Sequence, residues 1–385
     1  MNVVVVGGGF GGVKAALELS KRKIGKITLI SDEDYFLHHA TLYATATGMS
    51  RSESVIPLKD IFIDHPNVTV VQDTVQSIDP ARRLIIGKAK QYRYDTAILA
   101  LGSVTTYCNI NGMKQHAYGI KSLKEIAAFH QHIREEIVEK KFDKEYFVIG
   151  AGLTGVELAG ALNEHLQYLI TTNHLNLRKA RVTLVEAAER ILPKSSATAS
   201  KIVGKRLKKL GIYVLVDHKV EALDDDMITI KGKKIPTTTA IWTSGVANNP
   251  FFTAHEHVFK LAHNGRVNVS PYLEALPNVY VIGDSNSVKH SGQAWAAMHQ
   301  ARFVAKHLAR ISKNRMKLSF HPRSAMSGLP VGKGWGYVEW LGTYVAGRSG
   351  ALVRRWMELY GYNQLLPFAK AVAIWRAHDV PQVDE

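Results

Sequence analysis

Four consecutive valines, Val3–Val6, open the chain and run into GGGFGG, after which the apolar positions Val13, Ala16 and Leu17 recur at helical spacing. A short unbroken apolar run reads as a buried strand, the glycines as a turn and the 3.6-residue period as a helix. These three elements begin a βαβ unit, with KITLIS as its second strand. The runs NVTVV, RRLIIG and DTAILALGS, set apart by polar turns, predict a mostly parallel sheet with a small antiparallel insert.

Beyond Cys108 the pattern becomes helical, and EYFVIGAGLTGVELAGALNEHL then repeats the strand, glycine turn and helix of the N-terminus. RVTLVE, a helix around Ala199 to Leu210, IYVLVDH and TTAIWTSG complete a second unit near Gly245. The buried run in PNVYVIGDSNSV returns the chain to the first unit, which GQAWAAMHQARFVAKHLARI closes as a helix. The expected fold class is therefore α/β, with two Rossmann-like dinucleotide-binding domains. The first is discontinuous, 1–110 and 246–314, and the second spans 111–245. From about Arg315 the sequence turns to Gly, Trp, Tyr and basic residues, so 315–385 is expected to be a third unit that anchors to a membrane or dimerises.

Charge and cysteine content narrow the chemistry. The 49 Lys+Arg against 33 Asp+Glu leave a net charge of +16, a field that attracts nucleic acid, anionic lipid or anionic cofactors. No zinc-ligand pair or aromatic RNA-binding signature is present, which argues against nucleic acid and for an anionic membrane surface. Cys108 is the only cysteine, excluding an internal disulfide, a Cys-rich metal site and a redox-active cysteine pair; no metal is expected. Met1 leads directly into the first strand, so no signal peptide is expected. No apolar run approaches the roughly 20 residues that span a bilayer, so membrane contact would be peripheral.

Both glycine turns fit the G-x-G-x-x-G fingerprint between strand and helix: Gly7, Gly9 and Gly12 in the first, Gly150, Gly152 and Gly155 in the second. In such turns the first glycine allows the tight bend, the second admits a pyrophosphate and the third lets helix pack on strand, while the helix N-terminus attracts the anion. The ribose-gripping acid belongs at the end of the following strand. In the first unit Ser31 stands there, followed by Asp32; either can bind a ribose hydroxyl, and both also read as the start of a loop. In the second unit Glu186 ends RVTLVE, a carboxylate that accepts from a ribose 2′-hydroxyl and repels a 2′-phosphate, favouring NADH over NADPH. Its distance from the glycines requires an extended helix. Glu157, two residues after Gly155, falls in the first helical turn, suited either to stabilising the helix dipole or to the nicotinamide–flavin junction. Gly283 and Asp284 end the VYVIGD strand, where the carboxylate can take a hydrogen bond from a ribityl chain. The helix beginning near Gly292 would aim its positive end at a flavin.

Together VVVVGGGFGG, DYFLHHATLYATATG, AILALGS, VIGAGLTGVELAGAL, VTLVEAAERILP, WTSGV and VYVIGD resemble the two-dinucleotide-domain flavoprotein reductases, most closely the type II NADH:quinone oxidoreductases, over about residues 1 to 310. The resemblance implies non-covalent FAD on the first domain, NADH on the second, hydride transfer to the flavin, and two-electron reduction of a membrane menaquinone or ubiquinone without proton pumping. Glu157, which the resemblance places among the residues serving NADH, is the candidate catalytic residue. By motif the resemblance assigns Gly7, Gly9, Gly12, Gly102 and Asp284 to FAD, and Gly150, Gly152, Gly155, Glu157 and Glu186 to NADH; Ser31, Asp32, Gly283 and Trp295 are further candidates for FAD, and Gly245 for NADH. The family's quinone motif A-Q-x-A-x-Q falls on Ala294–His299, where Trp295 and His299 replace both glutamines, so the implied quinone residues are Trp295, Ala297 and His299. Gln293 and Gln300 flank them, but a helix turns about 100° per residue and carries those two away from the vacated positions.

In the tail, LVRRWMELYGYNQLLPFAKAVAIWR alternates basic, aromatic and aliphatic residues like an interfacial helix pair, with Arg354, Arg355, Lys370 and Arg376 offered to lipid phosphates and Trp356 and Trp375 at headgroup level. The implied location is the cytoplasmic face of the cell membrane, with a homodimer interface or a flavin lid as the other use of this region. Two further readings share the same domains: a soluble reductase of a rubredoxin- or ferredoxin-like protein, and a non-enzymatic FAD/NADH redox sensor.

Overall fold

In the computed structural model, which describes residues 1–139, 145–174 and 180–377, each apolar run with its glycines becomes a strand feeding a helix. The strands of the two main sheets are β1 (Asn2–Val6), β2 (Lys26–Ser31), β3 (Val68–Gln72), β4 (Thr96–Leu99), β5 (Glu145–Ile149), β6 (Arg181–Val185), β7 (Tyr213–Leu215), β8 (Ala240–Trp242), β9 (Glu274–Leu276) and β10 (Val279–Val281). The first sheet has the order β9-β10-β4-β1-β2-β3. All its pairs are parallel except β9 with β10. Val3 and Val5 join one apolar cluster and Val4 and Val6 another. Burial on both faces explains why β1 reads as an unbroken apolar run. The second sheet, β7-β6-β5-β8, is wholly parallel.

The chain comes back to the first sheet late in its course. Although the entire second sheet intervenes in sequence, Val279–Val281 pairs with Ala97–Leu99. RRLIIG contributes Leu84–Gly87 to the expected antiparallel insert. A second antiparallel insert, Val220–Leu223, Met227–Ile230 and Lys233–Pro236, was not expected from the sequence pattern. Its strands are short enough that the polar turns between them dominate the local sequence.

Six helices matter below: α1 (Phe10–Lys21), α2 (Leu123–Glu139), α3 (Leu153–Thr172), α4 (Ala294–Ile311), α5 (Arg348–Asn363) and α6 (Phe368–Arg376). The 20 residues of α3 supply the extra length demanded by the position of Glu186. Helices α1 and α4 share the first core, where Val13, Ala16 and Leu17 meet Met298, Ala301 and Val304.

The C-terminal region forms a three-stranded antiparallel sheet, Ser327–Pro330, Gly336–Trp340 and Thr343–Gly347, followed by α5 and α6. It is seated on both nucleotide units. Gly160 of α3 approaches the sheet so closely that a Cβ would stand 2.8 Å from Gly332 N. Tyr362 of α5 stacks on His38 at 4.6 Å and donates its hydroxyl to Glu53 O at 2.9 Å. Lys14 of α1 donates to Gln364 O at 2.8 Å.

Candidate active site

The two glycine turns share one steric logic. Gly7 and Gly150 turn the chain at φ +112° and +104°, values that favour glycine. A Cβ on Gly7 would lie 2.3 Å from Ala100 O, and one on Gly150 2.6 Å from Ser244 Cβ. At Gly12 and Gly155 a Cβ would strike the carbonyl oxygens of Gly7 and Gly150 at 1.9 and 1.8 Å, so these glycines seat each helix on its own turn. Gly9 and Gly152 are different: a Cβ there meets nothing within 4 Å. Both are N-caps, of α1 and α3, and no side chain caps either helix. Each turn thus presents open space in front of uncapped N–H groups, where an anion is favoured.

Register makes Ser31 the counterpart of Glu186. Gly7 N donates to Ile30 O and Gly150 N to Val185 O, both at 2.8 Å, so the next residue of each strand meets the middle of its glycine turn. Ser31 Oγ lies against Gly8, 2.3 Å from where a Cβ would stand, and accepts Glu33 N at 3.3 Å. Glu186 instead reaches across its turn: Oε2 accepts Ala151 N at 2.8 Å and Oε1 accepts Ala188 N at 2.9 Å. Two N–H groups fix this half-buried carboxylate and leave lone pairs for further donors. Asp32 is exposed beyond the strand and does not occupy the equivalent place.

Residues far apart in sequence converge beyond the ends of β4 and β10, the side of an open α/β sheet where ligands bind. Gly102 and Gly283 turn at φ +69° and +78°. Asp284 Oδ2 accepts the Ser103 hydroxyl at 3.1 Å. Gly245 has a packing reason for being glycine. Its Cβ would hit Thr106 O at 2.4 Å, beside the antiparallel crossing of Ser103–Thr105 with Val246–Asn248.

Helix α4 starts at Ala294 with no side-chain cap. Along it, Trp295 stacks on His299 at 5.0 Å and His299 meets Phe320 at 5.0 Å, whereas Ala297 lies beside Gly283, 3.5 Å from a Cβ built there. Positions 295 and 299 share a face that 297 does not, because two residues rotate a helix by about 200°. The three implied quinone residues are therefore not brought to one surface. Burial, with Arg323 and Arg302 nearby, lowers the His299 pKa. Gln300 is committed to structure: its Oε1 accepts Gly283 N at 2.7 Å and Asn286 Nδ2 at 2.8 Å.

The family model for pyridine nucleotide-disulphide oxidoreductases matches residues 1–301. The type II NADH:quinone oxidoreductase Ndh of Mycobacterium tuberculosis is 32% identical over 329 residues, covering 79% of this chain and 71% of that one. The chain belongs to the type II NADH:quinone oxidoreductase family. The Staphylococcus aureus type II NADH:quinone oxidoreductase is 26% identical over 378 residues, 92% of this chain and 93% of its own. The structure of NDH2 from Plasmodium falciparum in complex with NADH has the same fold, with a TM-score of 0.87 at 16% identity over 98% of this chain and 97% of that one.

In this oxidoreductase Glu157 lies deeper than its sequence position suggests. It is the fifth residue of α3, past the first turn, and its carboxyl is buried. Burial pushes its pKa up to about 8, against the pull of Arg354 and with the help of Glu358. Arg354 Nη2 stands 3.9 Å from Glu157 Oε1, and Nη1 pairs with Glu358 Oε1 at 2.9 Å. Arg355 Nη1 reaches Glu53 Oε1 at 3.3 Å and Glu358 Oε2 at 2.5 Å. Three carboxyls, Glu53, Glu157 and Glu358, thus face two guanidiniums, and one retained proton balances the cluster.

That cluster corrects the expectation for the tail. Arg354 is buried and paired, and Arg355 spans two carboxylates, so neither guanidinium is offered to lipid. Trp375 is partly buried, donating Nε1–H to Arg355 O at 2.8 Å, whereas Trp356 is exposed. Sequence reasoning did not anticipate Glu53, Arg354 and Glu358 as partners of Glu157; a charged pair four apart in a helix otherwise reads as a solvated face.

Proposed function

We infer that this chain oxidises NADH by hydride transfer to a non-covalently held FAD and passes the two electrons to a quinone, the activity of its family. The reaction NADH + H⁺ + quinone → NAD⁺ + quinol consumes one proton and carries no charge across a membrane. The observation that carries the reading is the pair of open, uncapped glycine turns, only one of which has a carboxylate at the ribose position. FAD, which accepts the hydride, fits the turn of Gly7, Gly9 and Gly12, with Ser31 at its adenosine ribose and Asp284, Gly102 and Gly283 toward its redox end. The NADH pyrophosphate fits the turn of Gly150, Gly152 and Gly155, with Glu186 selecting a free ribose 2′-hydroxyl. Glu157, which retains a proton near neutral pH, is suited to hold the proton that quinone reduction consumes.

Among the described residues no helix is long and apolar enough to cross a membrane. A surface association is supported instead by α5, whose outward stripe Leu352, Trp356 and Tyr360 is 60%, 58% and 55% exposed while its inward face carries the paired ions. Phe368 of α6 and the hairpin tip Trp340–Leu341 extend the apolar surface. Helix α5 holds its ion pairs inside, beside the buried Leu359 and Tyr362, and turns an apolar stripe outward, which suits a lipid interface on the cytoplasmic side.

Stopped-flow mixing tests the activity. NADH is expected to bleach the flavin rapidly, and a soluble menaquinone or ubiquinone analogue to restore its colour at the turnover rate. Rapid bleaching with no quinone-dependent recovery would remove quinone as acceptor and leave the two nucleotide assignments standing.

A further inference from the structure

Arg354 of α5 stands between two carboxyls and is paired closely with only one of them. Its Nη1 meets Glu358 Oε1 at 2.9 Å, one turn along the helix, whereas Nη2 stops 3.9 Å from Glu157 Oε1, beyond hydrogen-bond reach. Its Nε–H is buried and, among the described residues, meets no acceptor. Nε–H and Nη2 lie along one edge of the planar guanidinium, an edge that fits a carboxylate through two parallel bonds. That edge is the open one, and Glu157 is the carboxyl beside it. The strand Ser327–Pro330 covers the arginine stem, for a Cβ on Gly328 would stand 3.1 Å from Arg354 Cδ. A buried guanidinium with an idle donor is destabilising unless another state of the site supplies the acceptor.

The carboxyls of the cluster differ in access. The side chains of Glu53 and Glu358 keep 2% of their surface and that of Glu157 keeps 10%, so Glu157 is the member through which a proton can come and go. Its other titratable neighbours are neutral. Tyr43, from the short helix Leu42–Ala46, shares the second core with Val156 and Leu158, and burial pushes its phenol well above the ordinary tyrosine range. Burial, with Arg354 beside it, brings the His38 imidazole down to about 3. Glu53 is held by Arg355 at 3.3 Å. The charges that face Glu157 are therefore those of Arg354 and Glu358, already joined as a pair.

We propose that Arg354 is a positioning residue for proton exchange at Glu157: when the Glu157 O–H bond breaks and its proton leaves, the new carboxylate docks on the open Nε–H/Nη2 edge, and a proton from solvent later releases it. A neutral carboxyl draws weakly on a guanidinium, whereas a carboxylate forms charge-assisted bonds of about 2.7–2.9 Å. Closing the present separation of 3.9 Å needs only a small side-chain movement and leaves the Nη1 pair with Glu358 intact. Arg354 thus favours release of the proton from a buried site that otherwise retains it. Because Arg354 belongs to the tail and Glu157 to the second nucleotide unit, seating of α5 sets how readily the proton is given up.

This inference rests on Glu157 holding the proton that quinone reduction consumes, and Glu157→Gln tests that reading alone. Flavin reoxidation by a water-soluble quinone analogue that is as fast in Glu157→Gln as in wild type removes Glu157 from the proton step, and the inference with it. The role of Arg354 is read from two pH profiles of the flavin-loaded enzyme, the reoxidation rate and Tm, the second independent of turnover. Both are expected to fall in wild type as pH rises through about 8. In Arg354→Met both falls should move to higher pH by about one unit or more, because an opposite charge at this distance holds a carboxyl down by about 1–3 units. If Arg354→Met does not fold, Arg354→Met combined with Glu358→Gln removes both charges of the pair together, and the same upward movement is expected. Falls that stay at the wild-type pH in the variant that folds, with Tm lowered equally at every pH, make Arg354 a packing residue and overturn the proposal.

Discussion

At the residue scale, the two nucleotide turns differ most at the strand end, where Ser31 and Glu186 hold matching positions. Serine lies tightly against its glycine turn and presents a neutral hydroxyl. Glutamate spans from Ala151 N to Ala188 N and presents charge. A 2′-phosphate brought to Glu186 would meet a fixed carboxylate, whereas a 2′-hydroxyl would find an acceptor. Replacing Glu186 by Ser is therefore expected to reduce the NADH-over-NADPH ratio of kcat/KM by at least about tenfold, roughly 1.4 kcal/mol of discrimination. Steady-state kinetics with both nucleotides measures it; an unaltered ratio would move selectivity to another residue.

At the scale of elements, α5 departs from the usual amphipathic helix. Its stripe at 352, 356 and 360 faces out while Arg354, Glu358 and Tyr362 face in, because the inward residues find partners on Glu157, Glu53 and His38. The sequence offered Arg354 and Arg355 to lipid phosphates and Trp356 to the headgroup level; the packing turns both arginines inward and leaves Trp356 in an exposed apolar stripe. Changing Leu352 and Trp356 together to Ser should weaken sedimentation with vesicles containing anionic lipid by tenfold or more, since each buried large apolar side chain contributes about 1.5–3 kcal/mol. Turnover with a water-soluble quinone analogue should persist. If vesicle binding is unaffected while a dimer seen by light scattering becomes a monomer, the stripe serves subunit contact instead.

For the whole molecule, the buried ion cluster joins three parts of the chain: Glu53 from the first unit, Glu157 from the second and Arg354, Arg355 and Glu358 from the tail. Its titration shapes stability. Glu157 has a pKa near 8 when folded against an ordinary 4.5, so its proton favours the folded state fully below 4.5 and that contribution is lost as pH rises through 8. Buried histidines act in the opposite sense. His38 falls to about 3 and His165 to about 4 from 6.5, contributing stability above 6.5 that is lost as pH drops through those values. Above pH 6.5 the Glu157 trend stands clear of the histidines. Thermal unfolding of the flavin-loaded enzyme should show Tm declining from pH 6.5 to 9, and Glu157→Gln, which cannot ionise, should flatten that decline. A wild-type Tm that is level across this range contradicts the protonated carboxyl.

How much the sequence alone determined follows from the range of each interaction. Strand, glycine turn and helix are local, since a turn at positive φ and a helix seated on it depend on residues within about six positions; both nucleotide folds were therefore legible, and so was the return of VYVIGD to the first sheet through its unbroken apolar run. Glu186 was legible because it ends a strand whose register follows from the same local pattern. What depended on distant contacts was not. Trp295 and His299 could be placed on α4 by counting, but that they stack toward Phe320, away from Ala297, required the loop that brings Phe320 there. Likewise the sequence offered Arg354 to lipid phosphates, and only the fold of the tail over Glu157 pairs it inside. Only the tertiary structure decides which charges are desolvated together, and that shared burial separates a surface arginine from the partner of a buried carboxyl.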